Sequence, residues 1–384
     1  QGERMRTVNQ LKAFANALRD NPESPLGLKI VDEADATRAP LPKPHTELNY
    51  LPLGPVAVFG ASNFPYAFST LGGDTAAALA AGCPVIVKNH TAHPGTGELM
   101  ARVALAAIKE CAMPLGVFAM VQSKAYDISH QLVAAPAIKA VGFTGSFNVA
   151  SKLQATIAKR EEPIPFYGEL GSINPQVILP NKAIEHSKEM AQSLCQSMLM
   201  GNGQFCTSPG LWLVPTGCDE LEAHITACIN DAPSDTLLTP GIVKTFKHQI
   251  AERTQLDKLS VLGKGKLEHE FHANAHVFAC NADDYLAISA LQEEVFGPLG
   301  LVVRVDSLEE MRALAAELDG QLTITLHMDD ADVDAARSLM PVLERKAGRV
   351  LANGFPTGVE VVDSMVHGGP YPASTNFGAT SVGT

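Results

Sequence analysis

One of the chain's seven cysteines, Cys206, lies in a short Gly/Ser/Pro-rich segment, Gly203-Gln204-Phe205-Cys206-Thr207-Ser208-Pro209. The segment follows the helical-looking run Ala183–Met200. A thiol at such a loop–helix junction has backbone N–H groups nearby that favour the thiolate, the form that attacks electrophilic carbon. A single cysteine is more often a small buried hydrophobe, so its companions decide. In chain order these are Phe59-Gly60-Ala61-Ser62-Asn63-Phe64-Pro65, Lys88, Phe143-Thr144-Gly145-Ser146 and Tyr167-Gly168-Glu169-Leu170-Gly171. Glu293-Glu294-Val295-Phe296-Gly297-Pro298 completes the set, and a separate phrase, Val366-His367-Gly368-Gly369-Pro370-Tyr371-Pro372, lies further on. Each residue also has an ordinary use. Asn63 fits a turn before Pro65, Glu169 and Glu294 fit turns, and His367 fits a loop with local hydrogen bonds.

These residues fall at informative places in the predicted elements. From Val56 the chain alternates short apolar runs with helical ones. Strands are predicted at Val56–Gly60, Pro84–Lys88, Val117–Val121 and Ala140–Phe143, with helices at Phe68–Ala81, Gly97–Glu110, Asp127–Ala134 and Ser146–Ala158. A second series follows: strands Gln176–Leu179, Leu211–Val214, Leu299–Val305, Thr323–His327 and Arg349–Ala352, separated by helices Ala183–Met200, Asp219–Ile229, Leu308–Leu318 and Ala331–Leu343. Strands separated by single helices imply parallel, doubly wound sheets. Such sheets bind ligands beyond the carboxyl ends of their strands, and Asn63, Lys88 and Thr144–Ser146 fall there. An amphipathic helix is predicted over 7–20, with Val8, Leu11, Phe14, Ala15 and Leu18 on one face. Residues 34–55 are Pro-rich and irregular.

Composition narrows the function class. At 384 residues, with 46% hydrophobic and 18% charged residues, the chain predicts more than one domain. A net charge of −12 without a dense basic block argues against nucleic acid and anionic membrane as partners. No apolar run reaches the roughly 20 residues a spanning helix needs. Seven cysteines with no C-x-x-C pair predict reduced thiols and a cytoplasmic protein.

The ordered set of motifs resembles the NAD(P)-dependent aldehyde dehydrogenase superfamily, from about Leu51 to the C-terminus. The resemblance implies Cys206 as nucleophile, because a thiolate forms a tetrahedral adduct with an aldehyde that can expel hydride and leave a thioester. It implies Asn63 as oxyanion donor with the Cys206 backbone N–H, and Glu169 as the base that activates water. Ser172 stands where a second Gly is frequent in the family. Glu294 would hold the nicotinamide ribose, with Phe296 lining the nicotinamide side. Thr144, Gly145 and Ser146 would receive the pyrophosphate at a helix start, and Ala150 stands where the family often has Gly. Lys88 resembles the lysine on the adenosine ribose. Thr91 replaces a Glu that would repel a 2′-phosphate, so NADP is expected over NAD. No metal is expected.

The phrase around His367, with Asn353-Gly354-Phe355-Pro356-Thr357-Gly358-Val359-Glu360-Val361, resembles a subset holding α-ketoglutaric semialdehyde dehydrogenases and the fatty aldehyde dehydrogenase of luminescent bacteria. There the histidine approaches the nucleophile. The fold this implies is α/β: a cofactor domain over 1–168 with an extended oligomerisation arm near 35–53, a catalytic domain over 169–355, and a C-terminal segment 356–384 returning to the active site. A homodimer or tetramer is implied by resemblance only. The first expectation is oxidation of α-ketoglutaric semialdehyde. A long-chain fatty aldehyde is the alternative substrate. A CoA-acylating enzyme and a non-catalytic binding protein remain as other classes. The absence of an initial Met, and the family's further regions on both sides, lead us to expect a fragment.

Overall fold

The computed structural model describes residues 2–20, 29–362 and 364–378. The described chain divides into two units. One takes the residues up to Gly168 with 361–362 and 364, and the other takes Glu169–Glu360 with 365–378.

The first unit is built on a five-stranded sheet. Its order is Phe118–Val121, Val85–Lys88, Val56–Phe59, Ala140–Thr144, Phe166–Glu169. The first four strands are mutually parallel. All four residues of the central strand Val56–Phe59 are buried, as expected of a parallel strand covered on both faces. Strand order reverses between Val56–Phe59 and Ala140–Thr144, and the crevice beyond such a switch point is where these sheets bind ligands. The predicted N-terminal helix runs Gly2–Asp20, and its buried residues are Thr7 and Gln10. Val8, Leu11, Phe14, Ala15 and Leu18 are half-buried, so the apolar face is not the fully buried one. Glu3 anchors the loop that follows the central strand, where its Oε1 accepts the backbone N–H of Tyr66 and Ala67 at 2.7 and 3.0 Å. In the Pro-rich region, Ile30–Asp32 pairs antiparallel with Thr46–Leu48 as an exposed ribbon.

The second unit carries a seven-stranded sheet ordered Ser260–Lys264, His276–Asn281, Leu299–Val305, Leu211–Pro215, Gln176–Ile178, Gln321–His327, Ala347–Ala352. Residues alternate between two cores: Leu213, Leu301 and Val303 face one, Trp212, Val214 and Val302 the other. Both faces are therefore covered, as doubly wound sheets require. One expectation changes. Ser260–Lys264 runs antiparallel to its neighbour, so this sheet is parallel except at one edge. That strand is largely exposed and lacks the apolar run that marked the others. The helix Pro240–Thr254 and the strand His276–Asn281 also escaped the sequence reading. The run read as one helix is two, Pro180–Glu185 and Ser187–Leu199, broken at His186.

Candidate active site

Cys206 is held by the turn that precedes it. The helix Ser187–Leu199 gives way to Met200–Gly203, where Gly201, Asn202 and Gly203 have φ of 58°, 51° and 70°. This left-handed backbone favours Gly and tolerates Asn. A Cβ on Gly203 would strike the Gly297 carbonyl, so the turn lies directly on the Gly297-Pro298 backbone. The nucleophile segment is then pinned from the other side. Asn174 Nδ2 donates to the Cys206 and Ser208 carbonyls at 2.9 and 3.0 Å. Asn174 is fully buried, and its Oδ1 accepts from Thr323 Oγ1 at 2.9 Å and from Ser172 Oγ at 3.0 Å. Gln321 Oε1 accepts the Ile173 N–H at 2.9 Å. The loop is thus tied to the strand Gln321–His327 through a buried polar network, and each such group needs its partner.

Three reactive side chains meet here. Cys206 Sγ lies 3.2 Å from His367 Nε2, and the same nitrogen lies 3.1 Å from Glu169 Oε1. His367 and Glu169 are almost wholly buried, and Leu170 N–H donates to the Ala373 carbonyl at 2.8 Å, which fixes the C-terminal loop beside Glu169. The expected source of thiolate stabilisation changes. Cys206 follows the C-terminal end of a helix, so helix N-terminal N–H groups do not serve it. Burial pushes its thiol pKa up, His367 pulls it down, and Glu169 pushes it up again. For His367, burial works against the charged imidazole, but Glu169 and Cys206 outweigh it and raise its pKa to about 10. His367 therefore holds a proton tightly, and the Cys206 thiol within contact of Nε2 can supply it.

Glu294 flanks the same segment. A Cβ on Gly171 would come within 2.8 Å of Glu294 Oε2, so a larger residue at 171 would displace the carboxylate. Burial raises Glu294 to about 8, opposed by the Ser172 backbone N–H and reinforced by Glu169. Glu293 is exposed and Phe296 half-buried.

The remaining predicted residues lie in the first unit, around its switch point. Asn63 sits in the loop after Val56–Phe59, which Glu3 clamps at Tyr66 and Ala67. Gly60 in that loop has no room for a Cβ against the Ser69 backbone. Lys88 ends its strand and is half-buried, which lowers its pKa; Thr91 is exposed. Thr144 ends the neighbouring strand, and Gly145 leads to Ser146, which starts the helix Phe147–Ile157 with no side-chain cap. An uncapped helix start at the carboxyl edge of the sheet, whose strand Val85–Lys88 ends in a half-buried lysine, fits a dinucleotide's phosphates. Ala150 is completely buried, so a methyl is accommodated where the family often has none. The sequence reading missed Asn174, Gln321 and Glu3. The signal for Asn174 was its place in Asn174-Pro175, two residues from Ser172.

With this geometry in hand, comparison decides the family. The aldehyde dehydrogenase family model matches residues 2–375. The chain belongs to the aldehyde dehydrogenase family. It is 45% identical over its whole length to α-ketoglutaric semialdehyde dehydrogenase 2 of Azospirillum brasilense, of which it spans 73%. It is 41% identical, again over its whole length, to α-ketoglutaric semialdehyde dehydrogenase of Acinetobacter baylyi, also spanning 73%. A crystal structure of Bradyrhizobium japonicum proline utilization A shares the fold, with a TM-score of 0.80 and 21% identity. It aligns with 99% of this chain, which spans 37% of that longer one. This aldehyde dehydrogenase is therefore an enzyme of a family that oxidises aldehydes to acids with NAD(P). Among the described residues, no helix is long and apolar enough to cross a membrane.

Proposed function

We propose that this aldehyde dehydrogenase oxidises α-ketoglutaric semialdehyde to α-ketoglutarate, with NADP as the preferred cofactor. The observation that carries the reaction is the contact of Cys206 Sγ with an imidazole that Glu169 also touches. His367 takes the proton of Cys206 Sγ, and the imidazolium it becomes stabilises the thiolate. The thiolate attacks the aldehyde carbon, and the C–S bond forms as the carbonyl oxygen becomes an oxyanion. Asn63 is the donor to that oxyanion in this reading. The adduct gives up its C–H as hydride while the oxyanion re-forms the carbonyl, leaving a thioester; a bound nicotinamide dinucleotide would supply the hydride acceptor. Glu169 then takes a proton from water, which attacks the acyl carbon. The C–S bond breaks, and the imidazolium stabilises the departing thiolate.

Glu294 and Phe296 hold the nicotinamide end, and Lys88, Thr91, Thr144, Gly145 and Ser146 the adenosine and pyrophosphate. Thr91 supports NADP because it puts no carboxylate beside Lys88. The two relatives above 40% identity support the substrate. Seven free cysteines support a reducing, cytoplasmic setting, and the exposed apolar residues Ile30, Leu48, Tyr50 and Leu51 support a homo-oligomer. Initial rates of cofactor reduction with α-ketoglutaric semialdehyde and with a long-chain fatty aldehyde, each with NADP and NAD, test this reading. The semialdehyde with NADP is expected to give the highest kcat/KM. A preference for the fatty aldehyde would overturn the substrate, and a preference for NAD would overturn the cofactor.

A further inference from the structure

The N-terminal helix Gly2–Asp20 packs with a polar stripe inward. Glu3, Arg6, Thr7 and Gln10 stand at i, i+3, i+4 and i+7, which puts them on one helix face. Thr7 and Gln10 are each 2% exposed, and Glu3 and Arg6 are half-buried. A helix docked only to enlarge a core turns an apolar stripe inward. Here the deepest positions are polar, and the polar groups meet backbone and ring faces of one loop.

That loop follows the strand Val56–Phe59 and carries Asn63. It closes on itself: the Ala61 N–H donates to the Phe68 carbonyl at 2.7 Å, and the Phe68 N–H to the Phe64 carbonyl at 3.2 Å. The Tyr66 and Ala67 N–H groups find their acceptor outside this ring, on Glu3 Oε1, at 2.7 and 3.0 Å. One carboxylate oxygen therefore takes two consecutive backbone donors, a charge-assisted arrangement. Ala67 is fully buried, so losing Glu3 would leave its N–H without an easy replacement. Two further contacts hold the same parts together. Arg6 Cζ lies 4.9 Å from the centre of the Phe68 ring, and Phe68 meets Phe64 edge to face at 5.4 Å. Thr7 Oγ1 donates to the Glu3 carbonyl at 3.0 Å, which ties down the helical turn on which Glu3 stands.

We propose that Glu3 is a positioning residue for the reaction: by holding Tyr66 and Ala67 it fixes the loop in which Asn63 serves as oxyanion donor. This deepens the reading of Asn63 given above and rests on it. A donor of this kind works only if it is in place before charge develops. A shift of about 1 Å, caused far from the reacting atoms, can cost about 100-fold.

Two reactions of Cys206 separate this role from a general structural one. With p-nitrophenyl acetate the thiolate adds to the ester carbonyl, the carbonyl oxygen becomes an oxyanion, and the adduct collapses by expelling p-nitrophenolate. With iodoacetamide the thiolate displaces iodide from carbon, and no oxyanion forms. Neither reaction uses the aldehyde or the dinucleotide. Each rate is taken after subtracting that of Cys206→Ala. Glu3→Ala is expected to slow acylation by about 10- to 100-fold. It should change alkylation by less than about threefold, as a site outside that chemistry would. Glu3→Gln removes the same charge from the first helical turn but keeps an oxygen acceptor, so it should stay near wild type in both. Asn63→Ala should slow acylation by about 100-fold or more. Adding Glu3→Ala to Asn63→Ala should then cost less than about threefold more, because the two act as one unit. Equal losses in acylation and alkylation would make Glu3 a structural residue and overturn the proposal. No loss in either, or a Glu3→Ala loss undiminished beside Asn63→Ala, would also overturn it. Should Glu3→Ala not fold, Glu3→Asp, one methylene shorter, carries the same comparison. An Asn63→Ala protein that is acylated at the wild-type rate would instead sink the oxyanion reading itself.

Discussion

At the scale of single residues, the chemistry depends on what His367 does to a buried thiol. Burial alone makes Cys206 a poor nucleophile. The imidazolium 3.2 Å away is the compensating charge. Replacing it with a neutral amide, His367→Gln, should raise the Cys206 pKa by at least about one unit. Alkylation by iodoacetamide near pH 7 would then slow by about 10-fold or more. The pH–rate profile of alkylation in the two proteins measures this, and superimposable profiles would remove His367 from the chemistry. Cys206, Glu169 and His367 were each legible in the sequence because they stand in distinctive phrases. Their mutual distances were not, since a spacing of 161 residues says nothing about contact.

At the scale of elements, the nucleophile is placed by a turn and a strand that never touch the substrate. Gly203 takes left-handed backbone against the Gly297 carbonyl. Gly203→Ala combines backbone strain of about 1–3 kcal/mol with a backbone clash. It is expected to lower the thermal midpoint and to cut turnover more than 10-fold, as circular dichroism melts and steady-state rates would show. An unchanged midpoint would mean the turn is not constrained. Asn174→Ala removes two donors from the Cys206 and Ser208 carbonyls. It should lower kcat more than it changes KM, and an effect confined to KM would contradict a positioning role. The strands that built these sheets were readable wherever an apolar run was bounded by Gly or Pro, as in Val56–Phe59 and Leu299–Val305. Ser260–Lys264 was not, because an edge strand with one face in water needs few apolar residues.

At the scale of the molecule, two buried titrating groups tie stability to pH in one direction. Glu294 moves from 4.5 to about 8 in the folded protein, and His367 from 6.5 to about 10. In both cases the folded state holds its proton more tightly than the unfolded state. The stability this gives is complete below the unfolded values and is lost as pH rises through about 8 and then about 10. Thermal midpoints should therefore fall between about pH 5 and about pH 10, and Glu294→Gln should flatten the part of the fall between about pH 5 and 8. A midpoint that rises over this window would reverse the assigned directions. The central claim, that an aldehyde is oxidised through a bond to Cys206, is tested most directly by trapping the acyl group. Glu169→Gln, incubated with NADP and α-ketoglutaric semialdehyde and then quenched, should show one acyl adduct by intact mass, mapped to the peptide carrying Cys206. An adduct on another residue, or acid formed with no adduct in any quench, would contradict that claim.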